Sequence, residues 1–107
     1  MDADDVVFSV TVAEEPGGVR VTPHGELDMA TQPELRSVLE QHADADVLTL
    51  DLTRLGFLDT SGLRLILETV ESARRAGRDF GVVPGEPAVQ RLFEVAGVTE
   101  LVPFRER

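Results

Sequence analysis

Three patterns in the sequence predict an α/β fold built on one mixed β-sheet of about four to five strands. Two alternating apolar runs meet at a turn, later segments repeat apolar residues at helical spacing, and short apolar runs separate those segments. The turn is Glu15-Pro16-Gly17-Gly18, with Phe8, Val10 and Val12 before it and Val19 and Val21 after it. That combination is a β-hairpin, so the sheet opens antiparallel. Strands separated by helices pair in parallel through right-handed crossovers, which makes the sheet mixed.

Each later element has its own local signal. Asp28 to Pro33 supplies helix-start chemistry, and Leu35, Val38 and Leu39 come after it at spacings of three and four, predicting a first helix over Gln32 to His42. Leu48, Leu50 and Leu52 alternate through a third strand, Val47 to Leu52. Leu63, Ile66, Leu67 and Val70 mark a second helix that begins at Asp59-Thr60-Ser61-Gly62 and runs to about Ala76, where Gly77 stops it. Asp79 to Val83 is a fourth strand. Pro84-Gly85-Glu86-Pro87 then turns into a short helix with Val89, Leu92, Phe93 and Ala96 inward, ended by Gly97, and Leu101-Val102 adds a short last strand. The predicted order is β-β-α-β-α-β-α-β.

At 107 residues the chain accommodates one domain with one modest core, spanning about residues 6–102, and it shows no linker, repeat or low-complexity tract. The net charge of -10 argues against nucleic acid, because phosphate binding needs clustered cations and the ten arginines are scattered. A basic partner surface suits such a chain, although acidity also serves solubility alone. The absence of cysteine excludes disulfides and thiolate chemistry. Met1-Asp2-Ala3-Asp4-Asp5 is acidic where a signal peptide is basic, and no apolar run approaches the roughly 20 residues that span a bilayer. A cytoplasmic protein without membrane insertion is expected.

Asp59-Thr60-Ser61-Gly62 carries the most chemistry, since it places hydroxyls between a carboxylate and a glycine where a strand passes into a helix. Free N–H groups at a helix N-terminus favour an anion. The same residue types are also ordinary helix caps, and one cap residue suffices. At about 100° per residue, Leu63, Ile66, Leu67 and Val70 form the core face, while Ser61, Leu65, Glu68 and Ser72 fall opposite. Ser61 and Leu65 are therefore expected to share the solvent face, with Leu65 part of a docking surface.

Leu58-Asp59-Thr60-Ser61-Gly62-Leu63, with the apolar strand before it, resembles the signature of STAS domains, in particular the SpoIIAA-like anti-sigma factor antagonists. Gly25-Glu26-Leu27-Asp28, followed by Ala30-Thr31 and Leu35, is similar to the G-E-L-D segment closing that family's second strand. The resemblance implies the STAS fold over about Val6 to Val102, with helices packed mainly on one face. It further implies an antagonist that binds a serine-kinase anti-sigma factor and frees a sigma factor, as used in stress response and sporulation. Phosphorylation by that kinase would end binding, and a serine phosphatase would restore it. By motif position the phosphoacceptor is Ser61, with Thr60 a second hydroxyl beside it.

The expected partner-binding set is Asp28, Asp59, Ser61, Gly62, Arg64, Leu65 and Glu68. Arg64, three residues after Ser61, either reaches back to a phosphate or is a solvated helix charge. Asp28 either caps the first helix or lies near the phosphorylation site, as the resemblance implies. Two carboxylates are too few for a metal site, and no cofactor is expected. Catalysis by Ser61 with His24 or His42 lacks support, because Ser61 is outside a G-x-S-x-G elbow and His42 falls at a helix end. STAS domains also serve as modules of stress-signalling complexes, transporters and lipid-transport systems, some of them nucleotide-binding. No glycine-rich phosphate loop is present here.

Overall fold

The computed structural model describes residues 7–106, so the acidic opening and the expected core edge at Val6 lie outside the described residues. Strand β1 (Ser9–Glu15) and strand β2 (Gly18–Leu27) pair antiparallel, with Glu15 opposite Gly18 and Ser9 opposite His24. Residues 18–21 of β2 pair in parallel with β3 (Val47–Asp51). Its last residues, 25–27, pair in parallel with β4 (Leu55–Leu58), and the register shifts between Gly25 and Glu26. Gly25 has φ 101°, a left-handed conformation that only glycine adopts without strain, and it lets one long strand change partners. Strand β5 (Asp79–Val83) pairs in parallel with β3, giving the order β1-β2-β3-β5 with β4 on β2.

Strand β4 departs from the predicted order. The Leu52 carbonyl accepts from the Leu55 amide at 3.1 Å, and the Asp51 carboxylate accepts from both the amide and the hydroxyl of Thr53. This tight turn divides the apolar stretch after Val47 into two strands. Gly56 and Phe57 are exposed within the second, so four residues offer no alternation to read. The predicted last strand at Leu101-Val102 is also corrected. Thr99–Leu101 forms a 3-10 turn, and the chain then joins the sheet through a single bridge between Phe104 and Val82. Phe104 packs edge-on against Phe93 at 5.1 Å between ring centres, so the bridge is anchored in the core.

Helices α1 (Gln32–Gln41), α2 (Thr60–Ala76) and α3 (Pro87–Ala96) match their predicted spans within a residue or so, and α2 and α3 stop at Gly77 and Gly97. Helix α1 packs against β1, β2 and α2, helix α2 also against β5, and α3 against β4. Val21, Leu50 and Val82 are fully buried in the resulting core with Leu27, Leu35, Ile66 and Phe93. The residues that alternate with them include Arg20 and Asp51, which pair at 2.9 Å outside that apolar layer. The sheet therefore has one apolar face and one laced by ion pairs.

Candidate functional site

Strands β2 and β4 end side by side, with Leu27 opposite Leu58, so the chain delivers Asp28 and Asp59 to neighbouring positions. The Asp59 amide donates to the Leu27 carbonyl at 3.1 Å, which ties the two exits together. Beneath them sits Gly62. A Cβ at that position would lie 2.6 Å from Leu58 Cδ1 and 2.8 Å from Leu27 Cγ, so α2 can start this close to the strand ends only with glycine there. The motif glycine is thus required for space, and it sets how near Ser61 comes to the sheet.

Asp59 is the N-cap of α2, with extended backbone. One oxygen of its carboxylate, Oδ1, accepts the Ser61 amide at 2.9 Å, the Gly62 amide at 3.1 Å and the Ser61 hydroxyl at 2.7 Å. Burial opposes ionisation of Asp59. The Ser61 hydroxyl outweighs it together with the amides of Gly62, Ser61 and, more weakly, Met29, so this carboxyl titrates below its usual range. Ser61 is half-buried and its hydroxyl is held. Thr60 is exposed, and its hydroxyl makes no hydrogen bond among the described residues.

The structure brings Asp28, Asp59, Ser61 and Gly62 together at this corner. Asp28 spends its Oδ1 on the amides of Ala30 and Thr31, at 2.9 and 3.1 Å, closing the turn before α1. Arg64 is exposed and forms no ion pair among the described residues. Glu68 is also exposed, and it pairs with Arg36 of α1 at 2.7 Å. No third metal-binding side chain joins Asp28 and Asp59 among the described residues.

Leu65 is a correction. It is 2% exposed and lies in the core, not on a solvent face shared with Ser61. The wheel allowed α2 one buried side, facing the sheet; α1 lies alongside and covers a second, where Leu65 lines the seam with Leu39, Leu48 and Phe80. The large apolar side chains exposed near the corner are instead Met29, 77% exposed, and Phe57, 47% exposed. Neither stood out in sequence, because Met29 sits in a turn and Phe57 in a strand too short to show alternation. The one available signal was that both adjoin motif residues, Met29 coming directly after Asp28 and Phe57 standing two before Asp59.

A serine in the first turn of a helix, held by the capping aspartate where two parallel strands end, on a mixed sheet opened by a hairpin, defines a class of small α/β domain. The STAS domain family model matches residues 9–107, and the chain belongs to that family. Within it, the chain is 28% identical over 83 residues to an anti-sigma-B factor antagonist of Listeria monocytogenes, covering 76% of this chain and 73% of the relative. The crystal structure of an anti-sigma factor antagonist from Mycobacterium paratuberculosis superimposes with a TM-score of 0.85 at 27% identity, covering 94% of this chain and 87% of that one. The unphosphorylated form of SpoIIAA, from Bacillus, shares the fold with a TM-score of 0.76 at 17% identity, covering 92% and 88%. The relatives are anti-sigma factor antagonists, as the two sequence motifs implied. No helix among the described residues is long and apolar enough to cross a membrane.

Proposed function

We propose that this chain is an anti-sigma factor antagonist whose unmodified form binds a serine-kinase anti-sigma factor and releases a sigma factor. Phosphorylation of Ser61 by that kinase ends binding, and a serine phosphatase restores it. The observation that carries this reading is the Ser61 hydroxyl, held at 2.7 Å by Asp59 where α2 leaves the strand ends. The names of the relatives support the partner class.

A phosphate at Ser61 adds roughly -1.5 to -2 charge beside Asp59. The N-terminus of α2 tolerates it, because the helix dipole favours an anion there even though Asp59 already takes the Ser61 and Gly62 amides. The fold survives modification, and the effect falls on the docked partner. Met29 and Phe57 offer the apolar contact beside Ser61, in place of Leu65, and Asp28, Asp59, Arg64 and Glu68 form the polar rim. A phosphate trapped under a partner without a counter-charge is expensive to desolvate, and two aspartates nearby raise that cost.

The test is capture of partners from the native cell with Ser61→Ala and Ser61→Asp baits. A kinase-like anti-sigma factor is expected with the first and not the second, and the two baits are expected to melt at nearly the same temperature. Equal recovery with both baits counts against the switch.

A further inference from the structure

Resting on that reading, we infer that Asp59 both orients the Ser61 hydroxyl for phosphorylation and takes its proton, so that the antagonist supplies part of its own modification chemistry and selects Ser61 over Thr60.

Two adjacent hydroxyls compete at this corner, and the structure separates them. Ser61 Oγ donates to Asp59 Oδ1 at 2.7 Å, and that oxygen is itself fixed by the amides of Ser61 and Gly62. The acceptor cannot swing, so the hydroxyl has one preferred rotamer, with its lone pairs turned away from the carboxylate. Thr60 Oγ1 is exposed and has no such partner among the described residues, leaving it free to rotate. Fixing a nucleophile in one orientation removes entropy that the transition state would otherwise have to lose. Asp59 forms no ion pair among the described residues, so no cation there competes for the carboxylate that receives the proton.

In the transfer itself, the bond between Ser61 Oγ and the γ-phosphorus of a nucleoside triphosphate forms as the bond from that phosphorus to its bridging oxygen breaks. The nucleoside diphosphate leaves with the electron pair, and the Oγ proton moves along its existing hydrogen bond to Asp59 Oδ1 and then to water. Phosphoryl transfer passes through a loose transition state with little bond formation to the nucleophile. The serine proton is therefore released late, when the oxygen is already strongly acidic. A carboxylate held below its usual range is a weak base, but it suffices for a proton released so late.

Two substitutions divide the roles. Asp59→Asn keeps a helix cap and an oxygen that accepts from Ser61, but it cannot take the proton. Asp59→Gly removes the acceptor while leaving a residue well tolerated at a helix N-cap. Wild type and both variants are incubated with ATP and extract of the native cell. Initial rates are read at low and saturating protein, the labelled residue is located by mass spectrometry, and folding is checked by circular dichroism.

Wild type is expected to carry label on Ser61 alone. Asp59→Asn is expected to keep that choice, with a saturating rate lower by about tenfold or more and a half-saturating concentration within about twofold. Asp59→Gly is expected to be slow as well, with label shared between Ser61 and Thr60. A wild-type rate in Asp59→Asn, or label confined to Ser61 in Asp59→Gly, overturns the inference while leaving the proposed switch intact. Wild type without label on Ser61 overturns both.

Discussion

Asp51 and Asp59 close turns built from the same atoms. In each, carboxylate Oδ1 accepts the amide and the hydroxyl of the residue two positions on, at 2.9 and 2.6 Å from Thr53 and at 2.9 and 2.7 Å from Ser61. Their surroundings differ. The other oxygen of Asp51 pairs with Arg20 at 2.9 Å, and Arg20 also holds Glu15 at 2.7 Å, so this carboxylate is tied into the polar face of the sheet. Asp59 forms no ion pair among the described residues and caps a helix instead. A hydroxyl beside a carboxylate is a structural stitch where the charge is already matched. The same pair is a candidate for modification where the charge is free and the hydroxyl stands at a helix N-terminus.

The two turns differ most in the element each one feeds. The Asp59 turn leads into a helix anchored by Leu65, and Leu65→Ala should lower global stability by about 2 to 5 kcal/mol, the range for emptying a buried leucine site. Urea denaturation checks this. A loss near zero would return Leu65 to the surface and with it the docking role first expected of it. Gly62→Ala should cost about 1 to 3 kcal/mol by overpacking against Leu27 and Leu58, again by urea midpoint, whereas Gly56→Ala, in the short strand after the Asp51 turn, has its nearest neighbour to a Cβ at 3.7 Å and should meet no such clash.

Acid provides a gentler comparison. Burial opposes ionisation of Asp51, but the Thr53 hydroxyl and amide and the Arg20 guanidinium outweigh it, so both Asp51 and Asp59 titrate below the usual range. The unfolded chain, with carboxyl values near about 3.9, takes up protons first as the pH falls. The contribution of each carboxylate is thus fully present above about pH 5 and is lost as the pH drops through the lower folded-state value. Melting temperatures measured from pH 7 to pH 3 should fall at the acid end in wild type and fall less in Asp51→Asn and Asp59→Asn. An unchanged acid slope in both variants would remove these two carboxylates as its source.

The smallest expected stability effect is the most telling for function. Thr53→Ala and Ser61→Ala each delete one hydroxyl bonded to a carboxylate, and each should cost on the order of 1 kcal/mol. Their difference lies in labelling. Ser61→Ala should lose phosphate incorporation in extract of the native cell, and Thr53→Ala should keep it.

Much of the fold was legible because the signals that carry it are local. The hairpin turn at Pro16-Gly17, the three helices and their stops at Gly77 and Gly97 were readable from residues within a turn or two of each other. The corner itself was also legible, since Asp28 and Asp59 each mark the end of a strand. Leu65 was not, because a helical wheel counts one buried side and the second depends on α1 lying alongside. Strand β4 was hidden by its length, and by Gly56 and Phe57 being exposed within it.

The sequence by itself determined the mixed α/β class with its opening hairpin and three helices, the family and the placing of a serine at the start of α2, since periodicity, turn chemistry and short motifs each act over a few neighbouring residues. Only the tertiary structure decided which carboxylate is matched by a cation, which glycine is there for space, and which apolar side chains remain on the surface. Those answers depend on residues far apart in the chain. Arg20 reaches Asp51 across the sheet, Leu27 and Leu58 press on Gly62, and α1 closes over Leu65. No local pattern records such contacts, because they exist only once the sheet and helices have packed.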